Sequence, residues 1–293
     1  MITLENGTKN TLSTLIEDIS LIDTKIFYEI EKELIEIFNE YQNLSEPVFL
    51  SVKSGTIQKL AFFMAGFVKR SVGVGIAGET ASGKSTVTLD IIDTLQHFQK
   101  LNSLKDVFTR VNTDDYYYDR SEMVKAAGSF AAFAKNYDLD CPDAFELDLL
   151  NSHIEQLVLG REVLLPKYDM SGTAKRYDNH TLAKPSKIIL SEGLYTLTDK
   201  VREVFDFTVY VDVSSDAQKE RFFKRAQERN LGDSAYEIYN NALNKALIHV
   251  KPTKEKADIV VNGEADRAAY KNFMNRLLSI AQKYHFSTST SVI

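Results

Sequence analysis

The stretch GETASGKST, residues 78–86, limits the folds open to this chain more than any other segment. Glycine stands at its first and sixth positions and is followed by lysine and serine, which satisfies the pattern G-x-x-x-x-G-K-[ST]. Such a loop turns tightly enough for successive backbone N–H groups to converge on phosphate oxygens at a helix N-terminus. A buried strand is predicted before the loop and a helix after it, which disfavours the alternative of a chance glycine-rich turn.

The residue types of this phosphate loop indicate which ligands it holds. Gly83 lets the backbone approach the phosphates closely, Lys84 can reach the β and γ phosphates, and the Ser85 hydroxyl is placed to bind Mg²⁺. The sequence therefore predicts a site for ATP and Mg²⁺. The predicted nucleotide-binding residues of the loop are Gly78, Glu79, Thr80, Ala81, Ser82, Gly83, Lys84, Ser85 and Thr86.

Five short apolar segments predict the architecture around the loop. They are continuous rather than alternating, as strands buried on both faces are, and helical stretches lie between them. We therefore expect an α/β fold of the P-loop NTPase type, with a five-stranded, mostly parallel sheet flanked by helices. The segments are residues 71–77, 107–112, 187–192, 207–213 and 257–262.

The first part of the chain follows a different pattern. Residues 12–43 repeat apolar side chains every three or four positions, and a second helical segment is expected over 56–69. We interpret residues 1–70 as a helical N-terminal extension that packs on the core domain or on a partner. Residues 71–293 then form the domain that carries the phosphate loop.

Composition excludes several classes of protein. The net charge is −6 and Lys and Arg are dispersed, so nucleic acid binding is not expected. The apolar stretch 60–68 is too short to span a bilayer, so no membrane association is expected. With Cys141 as the single cysteine and no signal-peptide pattern at the N-terminus, we expect a cytoplasmic protein.

Two aspartates follow the second predicted strand, in VNTDDYYYD at residues 111–119. The carboxyl end of a strand beside the phosphate-binding strand opens into the ligand crevice, so Asp114 and Asp115 should face the γ-phosphate. A carboxylate there can accept the proton of an attacking hydroxyl. The alternative is that the two aspartates cap a turn.

The chain resembles a known group of enzymes, the uridine kinases and phosphoribulokinases, and it is most similar to uridine kinases. The resemblance covers roughly residues 72–263 and rests on landmarks that follow the phosphate loop in the expected order. These are DDYYYD at 114–119, LDCPDAFELDLL at 139–150, LGREVLLPKYD at 159–169, ILSEGLYTL at 189–197, VYVDVSSDAQKERFFKRAQER at 209–229 and KPTKEKADIVV at 251–261.

The resemblance implies roles in phosphoryl transfer. Asp114 matches the catalytic base of the group, and Glu192 matches an acidic residue that helps to hold Mg²⁺ together with Ser85. Lys84 would be catalytic as well as nucleotide-binding, because it contacts the transferred phosphate. A surface glutamate at a strand end is the alternative reading of Glu192.

Three arginines recur every fourth residue, at Arg221, Arg225 and Arg229, and so form one helical stripe. Such a stripe is often only a solvated face. In uridine kinases this region is a lid whose arginines cover the transferring phosphoryl group. By resemblance, Arg225 is catalytic, while Arg221 and Arg229 contact the nucleotide.

The resemblance also assigns an acceptor pocket. Asp140 matches a residue that binds ribose hydroxyls, and Tyr168 matches an aromatic residue of the nucleoside pocket, to which we add Tyr116. From local sequence alone, Asp140 could be a turn residue before Pro142, and Tyr168 could belong to the core.

The acceptor pocket is also where the chain departs from uridine kinases. The histidine that follows the pocket tyrosine is missing from YDMSGTAKRYD, residues 168–178, and the lid reads RNLGD at 229–233 where R-G-R is usual. We expect an ATP- and Mg²⁺-dependent kinase for a small-molecule hydroxyl, first of all the 5′-hydroxyl of uridine or cytidine. The alternatives are another metabolite, such as a sugar phosphate or a pantothenate-like alcohol, and a non-catalytic nucleotide-binding regulator. A GTPase is disfavoured because no N-K-x-D motif occurs, and the resemblance suggests a homo-oligomer.

Overall fold

The computed structural model describes residues 24–65, 70–134, 136–137, 139, 141–229, 232 and 234–285. All five predicted strands form, and a sixth joins them at one edge, in the order β1-β8-β7-β2-β6-β3. A further pair, β4 (Val163–Leu165) and β5 (Thr181–Ala183), makes a separate antiparallel ribbon. The strands of the sheet are β1 (Phe49–Val52), β2 (Val72–Ala77), β3 (Phe108–Asn112), β6 (Ile188–Glu192), β7 (Phe207–Asp212) and β8 (Ile259–Asn262).

The prediction of five strands was therefore one strand short. Strands β2, β3, β6, β7 and β8 of the sheet run parallel to one another, whereas β1 pairs antiparallel with β8 and places Phe49 opposite Val261. Strand β1 has only four residues and lies between two segments with helical periodicity. The hydrophobic pattern therefore did not distinguish it from a short break between two helices. It belongs to the segment that was predicted to be only helical.

Helices cover both faces of the sheet, as expected for parallel strands whose crossovers place helices there. Helices form between the strands, as the sequence predicts, and the helix Ser234–Lys245 continues as a π-helical segment over Ala246–Val250. The helices of the described residues are α1 (Thr24–Gln42), α2 (Thr56–Met64), α3 (Lys84–Leu101), α4 (Ser121–Ala127), α5 (Phe130–Ala134), α6 (Leu147–Val158), α7 (Ser215–Glu228), α8 (Ser234–Lys245) and α9 (Arg267–His285).

Residues of the sheet divide between two apolar clusters. Ile76 and Val211 belong to a cluster that includes α1 and α9, whereas the adjacent Ala77 and Tyr210 belong to one that includes α6. This alternation follows from the two-residue period of a strand. The phosphate loop leaves β2 between these two layers, at the carboxyl edge of the sheet.

The N-terminal helix α1 packs its apolar stripe on the sheet domain. Phe38 of α1, Phe49 of β1 and Phe273 of α9 form a cluster of rings with centroids 4.4 to 5.2 Å apart. The predicted helix over 12–43 and the segment over 56–69 each extend outside the described residues, at 12–23 and 66–69. No helix within the described ranges is both long enough and apolar enough to cross a membrane.

Candidate active site

The phosphate loop leaves β2 and enters helix α3 through three residues with positive φ. Gly78 has φ 152°, Ala81 φ 60° and Gly83 φ 101°. A β-carbon at residue 78 would lie 2.5 Å from the Val211 carbonyl oxygen, so the first glycine is required by close backbone approach as well as by φ. Gly83 is the residue before the first turn of α3, where unpaired N–H groups favour an anion.

Lys84 is held inside the loop. Its Nζ donates a 2.9 Å hydrogen bond to the carbonyl oxygen of Glu79. Burial lowers the pKa of Lys84 to about 8, and the charges of Asp114 and Glu192 oppose that shift. The ammonium group therefore contacts the loop and interacts electrostatically with Asp114, the predicted base, and with Glu192, the predicted metal ligand.

The remaining loop side chains divide into buried and exposed groups. Glu79 and Ser82 are buried, and burial raises the pKa of Glu79 although Lys251 Nζ lies 3.6 Å from its carboxylate. Ser85 and Thr86 are exposed at the start of α3. Their hydroxyls are thus open to a ligand that sits on the loop.

Asp114 lies in the 3-10 turn Thr113–Tyr116 that follows β3. Its N–H donates to Asn112 Oδ1 at 3.3 Å, so the preceding residue fixes the turn. Burial raises the pKa of Asp114, Lys84 lowers it and Glu192 adds to the rise. A carboxylate with a raised pKa is a stronger base, which suits proton abstraction.

Asp115 contacts a different part of the chain from Asp114. Its Oδ1 accepts a 3.1 Å hydrogen bond from the Tyr168 N–H and so fixes the loop that leads from β4 to β5. Burial raises the pKa of Asp115, and this backbone hydrogen bond opposes the rise. The sequence placed both aspartates at the strand end and the structure separates them, one toward Lys84 and one toward Tyr168.

Glu192 ends β6, where it stands opposite Asn112 of β3. Its Oε1 accepts a hydrogen bond from Arg110 Nη2, while its buried Oε2 has no hydrogen-bond partner among the described residues. The Thr113 hydroxyl donates to the Glu192 carbonyl oxygen at 2.7 Å. Sequence reasoning missed Arg110, which stands inside a strand without a motif.

The free oxygen of Glu192 fits a divalent cation. Magnesium takes oxygen ligands and is usually held by one or two protein groups plus phosphate oxygens and water. Within the described ranges no three Asp, Glu, His or Cys side chains gather as a metal cage. Glu192, with its unpartnered Oε2, and the exposed Ser85 offer oxygen atoms of the kind that magnesium prefers.

Helix α7 lies directly on the phosphate loop. Arg221 donates to the carbonyl oxygens of Ser82 and Gly263 at 3.2 and 2.9 Å, and Arg225 donates to Thr80 Oγ1 at 3.3 Å. Burial lowers the pKa of Arg225, and the nearby Arg229 adds to that effect.

Gln218 and Arg229 lie near opposite ends of helix α7. Gln218, in the first turns of α7, donates to the Thr80 carbonyl oxygen at 3.0 Å. Arg229 is exposed at the end of the helix. Two of the three predicted arginines therefore contact the loop, and the third does not.

A cavity of about 260 Å³ opens beside the loop, on the side of α3 and α9. Gly83, Thr86, Arg221 and Gly263 line it, and the ion pair between Arg267 and Asp90 closes one wall. Sequence patterns did not indicate this cavity because its walls come from distant segments, and Asp90 and Arg267 alone are 177 residues apart.

Of the two aromatic residues predicted for the acceptor pocket, Tyr116 lies in the core and Tyr168 lies beside another tyrosine. Tyr116 is fully buried and its hydroxyl lies 2.9 Å from His153 Nδ1, so it is a core residue that does not face the crevice. The ring that lies beside Tyr168 belongs to Tyr117, with centroids 5.0 Å apart. The run of three tyrosines did not indicate which ring points outward. Asp140 lies outside the described residues.

Comparisons with known proteins show the family to which this chain is related. Residues 73–269 match the model of the family described as Phosphoribulokinase / Uridine kinase family. A uridine kinase from Clostridium perfringens is 31% identical over 225 residues, which cover 74% of this chain and 100% of the relative. A uridine kinase from Halobacterium salinarum is 30% identical over 208 residues, covering 68% of this chain and 83% of the relative. Among solved structures, a possible uridine kinase from Bacillus stearothermophilus is 19% identical with a TM-score of 0.42, and the match covers 70% of this chain and 97% of that one.

Proposed function

The chain belongs to the phosphoribulokinase and uridine kinase family, whose members are small-molecule kinases, and we propose that it transfers the γ-phosphate of ATP to the 5′-hydroxyl of uridine or cytidine. The observation that carries the proposal is the convergence of three charged groups. Lys84 after β2, Asp114 after β3 and Glu192 at the end of β6 act on one another electrostatically beside the phosphate loop. A protein that only binds a nucleotide needs no base at this position.

ATP binding is supported by two adjoining features. The loop amides and Lys84 provide donors for the phosphates, and the cavity beside Gly83 and Arg221 is open to the base of the nucleotide. The ATP requirement and the single cysteine favour a cytoplasmic location.

In the proposed mechanism, Asp114 accepts the proton of the attacking hydroxyl while Lys84 and Arg225 hold the transferred phosphoryl group. Their positive charges counter the charge that spreads over the equatorial oxygens in the transition state. Glu192 and Ser85 would hold Mg²⁺, which would neutralise negative charge on the phosphates.

Acceptor binding is assigned to the surface beside Asp115. Tyr117 and Tyr168 present neighbouring rings on which a flat base can stack. Asp115 fixes the backbone of Tyr168, and Asp140 stays the predicted partner of ribose hydroxyls.

The test is phosphoryl transfer from γ-labelled ATP to uridine, cytidine, other nucleosides, pantothenate and sugar phosphates. The control is Asp114→Asn, which keeps the loop and removes the base. Label on uridine or cytidine that disappears in the variant supports the proposal. ATP binding without labelled product from any acceptor contradicts it and favours a nucleotide-binding regulator.

A second acceptor class is favoured by one observation. Arg176 lies opposite Tyr168 in the acceptor loop and pairs with Glu146, yet its buried Nε and Nη2 have no partner among the described residues. Such donors suit an oxygen-rich acceptor, for example a sugar phosphate. Label on a sugar phosphate instead of a nucleoside would select this alternative.

A further inference from the structure

Arg110 occupies the strand beside the predicted metal-binding carboxylate. It lies on β3 two residues before Asn112, which stands opposite Glu192 of β6. Its guanidinium Nη2 donates to Glu192 Oε1, and the two side chains form an ion pair. The Glu192 side chain is 5% exposed and that of Arg110 39%, so the cation reaches from the crevice to a buried carboxylate.

The two oxygens of Glu192 therefore have different surroundings. Oε1 is occupied by Arg110, whereas Oε2 is buried and has no partner among the described residues. Leaving a charged oxygen buried and unpaired is costly, so the arrangement needs a reason. A cation that binds with the nucleotide would supply the missing partner without breaking the ion pair.

The local charges explain why Lys84 cannot replace Arg110. Lys84 interacts electrostatically with Asp114 and Glu192, whereas Arg110 interacts with Asp114 and Asp115 and forms an ion pair with Glu192. Lys84 belongs to the phosphate loop and must direct its charge to the nucleotide. Arg110 is then the cation that still holds Glu192 when ATP is bound.

We infer that Arg110 is a positioning residue for the metal site. It fixes Glu192 by one oxygen so that the other oxygen is presented to the divalent cation. The inference rests on the proposed magnesium-dependent kinase function and adds a residue that the sequence motifs do not contain.

The experiment measures Mn²⁺ binding by electron paramagnetic resonance, with a non-hydrolysable ATP analogue present, so that its readout is independent of turnover. We expect Arg110→Gln to weaken binding about 10- to 100-fold, the usual effect of losing a group that orients a metal ligand. Arg110→Lys should recover most of the affinity because an ammonium group can reach the same oxygen. Arg276→Gln is the matched control, because it removes an exposed ion pair with Glu40 and should leave metal binding unchanged.

Unchanged or tighter Mn²⁺ binding in Arg110→Gln would overturn the inference, as would a wild-type protein that binds no Mn²⁺. A double-mutant cycle gives a second readout. Arg110→Gln should have no further effect on metal binding in a Glu192→Gln background, and fully additive losses would show that Arg110 acts elsewhere. If metal binding behaves as expected while no acceptor is labelled, the proposed function fails and the positioning role stands.

Discussion

Gly193 approaches Thr113 so closely that a β-carbon at residue 193 would fall 1.4 Å from the Thr113 hydroxyl oxygen. The same hydroxyl donates to the Glu192 carbonyl oxygen, so the ends of β3 and β6 are joined at this point. Asp114 follows one of these ends and Glu192 forms the other. The distance between Asp114 and Glu192 therefore depends on a glycine.

Gly193→Ala should separate these strand ends. Because a shift of about 1 Å at a catalytic group costs on the order of 100-fold in rate, we expect kcat to fall by at least that factor. Gly128→Ala is the control, since residue 128 has φ 79° with open space around it. That variant should lose roughly 1 to 2 kcal/mol of stability and keep its turnover. Normal kcat in Gly193→Ala would contradict the close contact.

Asp114→Asn should lower kcat by at least about 10²-fold and leave ATP affinity nearly unchanged, because the variant loses the base but keeps the loop. Isothermal titration and steady-state kinetics separate the two effects. Asp115→Asn should instead raise the acceptor KM, because Asp115 holds the Tyr168 backbone. Normal turnover in Asp114→Asn would assign the base to another residue.

ATP affinity should depend on the protonation of Lys84. Burial lowers its pKa to about 8, so the free protein loses this charge as the pH rises through that value. Phosphate binding favours the charged form, so ATP affinity should be constant below about pH 7 and weaken above about pH 8. Titrations across this range should show the loss in the wild type and a flat profile in Lys84→Met. A wild-type profile as flat as that of the variant would refute the assignment.

Arg221 and Arg225 should differ in their kinetic effects. Arg221 donates to two backbone carbonyls beside the cavity next to the phosphate loop, so Arg221→Gln should mainly raise the KM for ATP. Arg225 faces the tip of the loop, so Arg225→Gln should mainly lower kcat, by about 10²-fold or more. Equal effects on both constants in both variants would argue against separate roles.

Tyr116 and Tyr168 provide a test of the acceptor surface. Tyr168→Ala should raise the acceptor KM about tenfold, in line with the loss of one stacking contact of about 1 to 1.5 kcal/mol. Tyr116→Phe should leave that KM unchanged and lower stability by about 1 kcal/mol, because it removes the hydrogen bond to His153. A raised KM in Tyr116→Phe alone would restore Tyr116 to the acceptor site.

The sequence predicted the parts of the molecule that local pattern encodes. Continuous apolar segments marked the five parallel strands, and the loop motif placed Lys84 at the start of a helix. Strand β1 was missed because four residues are too few to show a hydrophobic period. Its pairing with β8 also depends on residues that are distant in the sequence. Local sequence patterns do not predict such long-range pairing.

The same limit applies to the candidate site. Asp114 and Glu192 stand at strand ends, where topology alone brings them to the loop. The positions of Arg110 and Tyr117 were not predicted. Arg110 contacts Glu192 and Tyr117 lies beside Tyr168 because of how their side chains point and pack. Motif spacing does not encode either property.

Strand β1 has a consequence for how a nascent chain acquires this fold. Residues 49–52 leave the ribosome early, yet the strand that pairs with them, residues 259–262, is synthesised about 200 residues later. Until then Phe49 and the apolar face of α1 lack their partner surface, and such long-range pairing folds slowly. Translation must therefore pass residue 262 before the sheet can close at this edge, and the apolar surface of the early segment stays exposed until then.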